Sequence, residues 1–487
     1  MTRPAIATEP GFPRDLVQAV LATAFDVILD RHLEPAAPAD LGLWTLRGLE
    51  VIEPGLRPEL RAGTLLLSEG QRLLGARPVP PPGLRASGAL AVAVAGLFDT
   101  AWRASPALRR AGPDRMLQNA FEELFNHLDP YSRYLTPEEA AAARARRIGQ
   151  SALGLQLAAG PGGSILVAAV TPGGTADRVG VRVGDRLLAI DGEPVSARRL
   201  ADAVAMLEGP TGTAALLRIQ RGGRRLDIVL PREVVPPETV RAERRGGILW
   251  LRIDGFANDT DRRLAEALAA GLAGGEVTGV ALDLRGNRGG LLGQAVAVAS
   301  AFLAGGVVVR TSGRHPDADR VYLADDEDRA RGLPLVVLID VRSASAAEIV
   351  AAALSDRGRA VAVGSATTGK GLVQVVAPLP NGGELQVSWA RILAPSGWPV
   401  QGLGVLPAVC TSLGEAATLA ALAALRRGES PMAATLARAR QVRAPVPAAE
   451  LAALRAACPP AEGRDLDLLA ARTLLETPAV HAAALAR

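Results

Sequence analysis

Lysine is almost missing from this chain: of its 54 basic residues all but Lys370 are arginine. Arginine serves wherever only positive charge is needed, but it does not lose its proton in a protein, so the lone lysine marks either a position where deprotonation has a use or a chance survivor. Histidine is nearly as scarce. The four, at 32, 127, 315 and 481, sit in no pattern that supplies a nucleophile with a base, and no G-x-S-x-G elbow is present, which disfavours a Ser-His-Asp hydrolase of that kind. No Cys or His spacing fits a metal site, and neither a metal nor an organic cofactor is implied. The two cysteines, Cys410 and Cys458, can pair in an oxidising compartment or persist as thiols in a reducing one, so their number leaves compartment open. Aromatic residues make up 3% of the chain, and the basic clusters at 144–147 and 221–225 contain none; with a net charge of +4, nucleic-acid binding is disfavoured.

Long apolar runs are absent too. The best candidate, residues 16–29, falls short of the ~20 residues of a membrane span and contains Gln18 and Asp26, so it reads as an amphipathic helix and no integral membrane segment is expected. Residues 1–14 are polar and broken by proline, unlike the basic and apolar regions of a secretory signal, so no signal peptide is expected.

At 487 residues the chain is long enough for several cores. Helical spacing recurs through residues 1–75, a linker is expected at 77–83 (RPVPPPG), and helices resume at 88–103 and 114–128. From 150 to 232 short β-rich runs alternate with glycine turns, interrupted by helices near 173–179 and 197–207. Beyond a proline-bearing junction at 231–237, units of apolar strand, glycine-rich turn and helix follow, the pattern of a layered α/β core. Residues 412–487 return to alanine-rich helix with no visible chemistry. The expected division is a helical N-terminal region at 1–110, a helical segment at 111–149, a β-rich module at 150–232, the α/β core at 233–411 and a helical C-terminal region at 412–487.

In the core, an apolar strand at 335–341 runs through a turn into the helix AAEIVAAALSD, which places Ser345 at a helix N-terminus where free amides and the helix dipole stabilise an oxyanion. The same spacing, Ser345-x-x-Glu348, fits a capping box, in which the serine only caps. A catalytic serine needs a base, and Lys370 is the candidate: it sits in a loop of small residues between two strands, where burial can lower its pKa far enough for a neutral amine to accept the hydroxyl proton. A phosphate-binding loop would require Ser or Thr where Gly371 stands. Gln374, four residues on, can hold the amine in register, and the turn from Arg285 to Gly290 offers amides for an oxyanion.

Together these stretches resemble the carboxyl-terminal processing peptidases, or tail-specific proteases, a serine peptidase family with a PDZ domain ahead of a Ser-Lys core. The resemblance spans about residues 114–410 and rests on S-A-S-A-x-E-I at 343–349, T-x-G-K-G-x-V-Q at 367–374, D-L-R-x-N-x-G-G at 283–290, LDPYSRYLTPEE at 128–139, the stretch 395–407 and the run 170–195. It implies an α/β multidomain chain, with a β-rich PDZ domain inserted before a layered strand-turn-helix core of the ClpP/crotonase-like kind. By the same resemblance Ser345 is the nucleophile, Lys370 the base and Gln374 its support; Gly289, Gly290 and Ala346 form the oxyanion hole; and Leu153, Gly154 and Leu155 form the PDZ carboxylate loop. The implied partners are polypeptides with unstructured apolar C-termini, and the helical termini are available for homo-oligomer contacts. The family's usual location is the periplasm or cell envelope. The chain departs from the family pattern at Ala152, Ala347, Ala408 and Glu208. A catalytically silent PDZ scaffold that binds peptide without cutting it is the alternative.

Overall fold

A computed structural model describes residues 11–83, 86–171, 173–207, 209, 212–325 and 327–485; most of the polar start of the chain, where no export signal is read, lies outside them, as does Glu208. Helix Arg14–Arg31 buries Val17, Val20, Leu21, Ala24, Phe25 and Ile28, a single stripe at helical spacing, against helices Pro38–Arg47 and Ala86–Ala104. The next helix, Pro106–Asn126, is interrupted where Gly112, just before Pro113, leaves helical geometry.

The expectation of helices alone through residue 75 is corrected here. Leu56–Arg61, Thr64–Glu69 and Arg72–Pro78 form a three-stranded antiparallel meander, so the stretch expected as a linker at 77–83 begins inside a strand. Leucine-rich runs this short satisfy either period; Pro54-Gly55 ends the helical one, and Leu65 and Leu67, alternately buried, reveal the period of two.

Residues 155–231 build a separate antiparallel sheet, in the order Arg224–Pro231, Ala214–Arg221, Arg186–Ile190, Ile165–Val170, Leu155–Ala159. Ile165, Val167, Leu187, Leu217 and Ile219 fill its core. Leu155–Ala159 is an edge strand, with helix Leu200–Leu207 packed beside it. This module leaves and rejoins the rest of the chain through one antiparallel pair, Gln150–Ala152 with Glu233–Val235.

The catalytic-motif region is a six-stranded sheet ordered Val240–Arg245, Ile248–Ile253, Gly279–Asp283, Leu335–Ile339, Val361–Gly364, Val409–Cys410, parallel after the first pair. Its central strands are buried on both faces, which is why they read as unbroken apolar runs. Leu335, Val337 and Ile339 join a core with helices Thr260–Ala273, Leu292–Ser300 and Ala346–Asp356. Val336 and Leu338 face the other way, toward Glu415–Arg426, Asp465–Glu476 and Pro478–Leu485. The C-terminal helices therefore cover one face of the sheet from Ile248–Ile253 to its last strand. Leu422, Leu425, Ala470, Leu474 and Val480 are buried on it.

A second antiparallel sheet, Arg320–Leu323, Val307–Ser312, Glu384–Leu393 and Leu372–Pro378, stands beside the first. Strand Arg133–Leu135, which precedes the 155–231 module in the chain, pairs with Glu384–Leu393. No helix among the described residues is long and apolar enough to cross a membrane.

Cys410 and Cys458 form a disulfide across 48 residues, fastening the last strand of the sheet to the C-terminal segment. Closing a loop of that size restricts the unfolded chain, so replacing both cysteines by alanine is expected to lower unfolding free energy by ~2–4 kcal/mol. Thermal and urea unfolding with and without reductant, with alkylation mass spectrometry to verify the bond, measure this; an unchanged midpoint on verified reduction contradicts it.

Candidate active site

Helix Ala346–Asp356 is buried along nearly its whole length, as its alanines, isoleucine, valine and leucine require. Among them, in the first turn, stands the carboxylate of Glu348, with no exposure to solvent. Its Oε1 accepts hydrogen bonds from Thr367 Oγ1 (2.5 Å) and Gly369 N (2.7 Å), and its Oε2 from Ser345 N (2.8 Å) and Lys370 N (2.9 Å). One carboxylate oxygen thus holds the amides of both residues singled out from the sequence. Burial pushes the Glu348 carboxyl up, and the hydrogen bonds from Thr367, Gly369, Ser345 and Lys370 oppose it.

Ser345 precedes this helix with φ 55° and ψ −113°, a positive φ that a residue with a side chain rarely adopts. Strain of this kind persists only where the surroundings over-determine it, and it clusters at functional sites. Here the surroundings are the Glu348 bond on one side and the 285–290 turn on the other. Gly289 passes so close that a Cβ there would lie 2.8 Å from Ala344 O and 3.0 Å from Ser345 Cβ, and one on Gly290 would lie 2.1 Å from Phe256 O. Both positions therefore demand glycine.

Of the three oxyanion candidates, Gly289 has its amide engaged by Asn287 Oδ1 at 2.8 Å. The amides of Gly290 and Ala346 carry no hydrogen bond among the described residues. Those two residues and Ser345 line one cleft of about 180 Å³, whose walls include Leu292, Ile349, Leu372, Val373 and Ile392.

Lys370 Nζ donates to Gln374 Oε1 at 3.2 Å and lies 5.4 Å from the centre of the Tyr131 ring. Among the described residues no side chain hydrogen-bonds Ser345 Oγ, so the serine and lysine are neighbours held by a common carboxylate and not directly bonded. Burial, with the nearby Arg133 charge second, pushes the lysine below its ordinary pKa, while Asp129 and Glu348 pull the other way. Gln374 in turn donates through Nε2 to the Tyr131 carbonyl.

Tyr131 is itself fixed by Asp129, whose carboxylate accepts from Tyr131 N (2.9 Å), Ser388 Oγ (2.9 Å) and Ser132 Oγ and contacts His32 Nε2 at 3.0 Å. Burial works to raise the Asp129 pKa, but these hydrogen bonds overcome it and hold the carboxyl far below its usual range. The sequence reading passed over Glu348 as a cap and gave Asp129 and Tyr131 no role. A signal was there for the first: an acid in the first turn of a helix whose next six residues are all apolar.

The C-terminal segment, read as carrying no chemistry, braces both loops of the site. Arg455 donates to the carbonyls of Thr367 (2.9 Å) and Leu403 (2.7 Å), steadying the lysine loop. Asp467 accepts from Arg285 Nη1 at 3.0 Å, steadying the glycine turn. Ala461 O accepts from Val341 N and Ser365 Oγ, beside the serine turn. Two of the histidines serve elsewhere: His481 Nε2 meets the Leu335 carbonyl and His127 pairs with Glu123.

In the other module, Leu153 is buried and its carbonyl accepts from Ala176 N, while Gly154 and Leu155 border a second cleft at the start of the edge strand.

A family model described as Peptidase family S41 matches residues 247–410, and one described as PDZ domain matches residues 166–221. The carboxy-terminal-processing protease of Bartonella bacilliformis is 36% identical over 301 residues, covering 60% of this chain and 69% of that protein. A "Probable CtpA-like serine protease" of Staphylococcus aureus is 29% identical over 304 residues, covering 62% of this chain and 61% of its own length. Among solved structures, the photosystem II D1 C-terminal processing protease shares 28% identity over 66% of this chain and 88% of that one, with a TM-score of 0.35.

Replacing Glu348 by glutamine puts an amide donor where two backbone N–H groups already point, leaving buried donors unpaired. The expected cost is about 1–3 kcal/mol of stability, with faster hydrogen exchange at the Ser345 and Lys370 amides. Urea unfolding and amide exchange measure both; a variant with unchanged stability and protection contradicts the bracing role.

Proposed function

This chain belongs to the carboxy-terminal-processing proteases of peptidase family S41 and is a serine-type peptidase with a PDZ domain; from that premise we propose that Ser345 is its nucleophile and Lys370 its general base. The observation that carries the reading is the shared Glu348 oxygen, which holds a strained helix-capping serine and a partly buried lysine side by side. Lys370, whose neutral form its partial burial favours, turns from Gln374 toward Ser345 and in that form takes the Oγ proton as Oγ adds to a substrate carbonyl carbon. The amides of Gly290 and Ala346 receive the resulting oxyanion. The lysine then returns the proton to the departing amine, and water, activated the same way, resolves the acyl-enzyme. Gln374 keeps the amine from wandering, and Tyr131 keeps Gln374 in place. The apolar cleft beside Ser345 suits an apolar side chain next to the cut bond.

The PDZ domain, taken as residues 150–232 ahead of a ClpP/crotonase-like core at 233–411, captures the substrate's unstructured apolar C-terminus. The free edge of Leu155–Ala159 supports this, since an extended peptide can add there as a further strand opposite helix Leu200–Leu207. Leu153, Gly154 and Leu155 form the loop that meets its carboxylate. The Cys410–Cys458 bond fits an oxidising compartment such as the cell envelope.

Cleavage of an unfolded polypeptide with an apolar C-terminus tests the dyad. Ser345→Ala is expected to abolish it, and Lys370→Arg, which keeps the charge but cannot act as a base, to reduce it by about 10²–10⁴-fold, both folding normally by circular dichroism. Peptide binding without cleavage in the unaltered protein would instead establish a silent scaffold.

Because the base must be neutral, kcat/KM is expected to rise with pH, and its midpoint to lie below the ordinary 10.5 of lysine. A rate that is flat or falls as pH rises toward that value contradicts lysine as the base.

A further inference from the structure

A cleft of about 780 Å³ opens where the PDZ domain meets the peptidase core. One wall is the start of the PDZ edge strand, Gly154, Leu155 and Gln156; the others come from outside that domain, with Arg146 on helix Pro137–Ile148 and Arg262 and Arg263 on core helix Thr260–Ala273. Arg262 is already paired, with Asp259 at 3.1 Å and Glu266 at 2.6 Å. Arg146 and Arg263 have no ion pair or side-chain hydrogen bond among the described residues. The Nε of Arg263 is moreover a buried donor with no acceptor, an arrangement that native structures rarely leave without a cause. Two carboxylates also line the cleft: Glu266, which is paired with Arg262, and Glu238.

We propose that Arg146 and Arg263 form a clamp, lying outside the PDZ domain, for the terminal carboxylate of the polypeptide that this domain captures. The proposal rests on the reading of Leu155–Ala159 as the strand to which that polypeptide adds. A peptide added antiparallel to this strand runs from Ala159 toward Leu155, so its C-terminus arrives at the Gly154 end, where the cleft lies. There the backbone amides of the loop are one source of hydrogen bonds, and a guanidinium is a stronger one, because its planar fork matches a carboxylate bidentately. A small turn of the Arg263 side chain presents its idle Nε–H together with an Nη–H. An acidic side chain within the peptide would lie farther along the strand and miss the pair. The consequence reaches beyond affinity: a terminus held by the PDZ loop on one side and by a core helix on the other fixes the two bodies relative to each other, so that only a true chain end draws them together.

The test uses the full chain silenced by Ser345→Ala and a fluorescent peptide with an apolar C-terminus, made once as the free acid and once as the terminal amide. The parent is expected to bind the acid more tightly than the amide. In the Arg146→Ala/Arg263→Ala double variant, affinity for the acid is expected to fall about tenfold while affinity for the amide stays within about twofold. Arg263→Lys should recover part of the loss, and rising salt should shrink the difference between acid and amide. Circular dichroism and thermal melting check that each variant is folded. If the double variant keeps the parent's full preference for the acid, the clamp is overturned and the PDZ reading stands. If the parent itself does not distinguish acid from amide, capture of the chain terminus fails and the clamp fails with it.

Discussion

Glu348 lies out of reach of water and accepts hydrogen bonds from four groups on two segments of chain. A buried carboxylate is tolerated only when its acceptor positions are filled, and here they are filled by the serine turn on one side and the lysine loop on the other. The two segments cannot drift apart without exposing that charge, unpaired, to a low-dielectric interior. The position of Lys370 relative to Ser345 is therefore set by an electrostatic requirement and not by direct contact between them. The raised pKa of the acid and the lowered pKa of the lysine have the same leading cause, burial, acting on groups of opposite charge.

Around that point the fold is arranged as a set of braces. The parallel sheet delivers Ser345 at the end of its strand Leu335–Ile339 and the glycine turn at the end of Gly279–Asp283, which puts both at one edge of the layer. The second sheet delivers Lys370 and Gln374 at the start of Leu372–Pro378. The C-terminal helices close the far side. They bury one face of the parallel sheet, and from there Arg455 and Asp467 reach the lysine loop and the glycine turn.

The N-terminal helices are tied to the site by a chain of contacts. His32, just beyond the first helix, touches Asp129; Asp129 fixes the backbone of Tyr131; and Tyr131 meets both Gln374 and Lys370. Helix Pro137–Ile148, which leads into the PDZ domain, is anchored in the core by Arg144 and Arg147, both paired with the buried Glu384. Removing either arginine would leave that carboxylate partly unpaired in the interior, which is costly enough to make the junction stiff. The PDZ domain is thus hung from a fixed point while its own sheet makes a separate core.

By itself the sequence determined what depends on neighbours along the chain. The apolar strand, the tight turn and the alanine-rich helix that set Ser345 at a helix start follow from residue spacing, as does the small-residue loop of Lys370, and the absence of any other lysine singled that position out. The edge strand and helix of the PDZ domain were legible for the same reason. What the sequence left ambiguous was the short leucine-rich run after residue 55, where helix and strand periods fit equally until pairing with neighbouring strands decides. Only the tertiary structure decided which groups meet across long separations: Glu348 with the lysine loop, Arg455 with Thr367, Asp129 with His32, Cys410 with Cys458. A hydrogen bond between residues far apart in the chain leaves no periodic trace in either segment, because its geometry exists only once both have been packed against the same core.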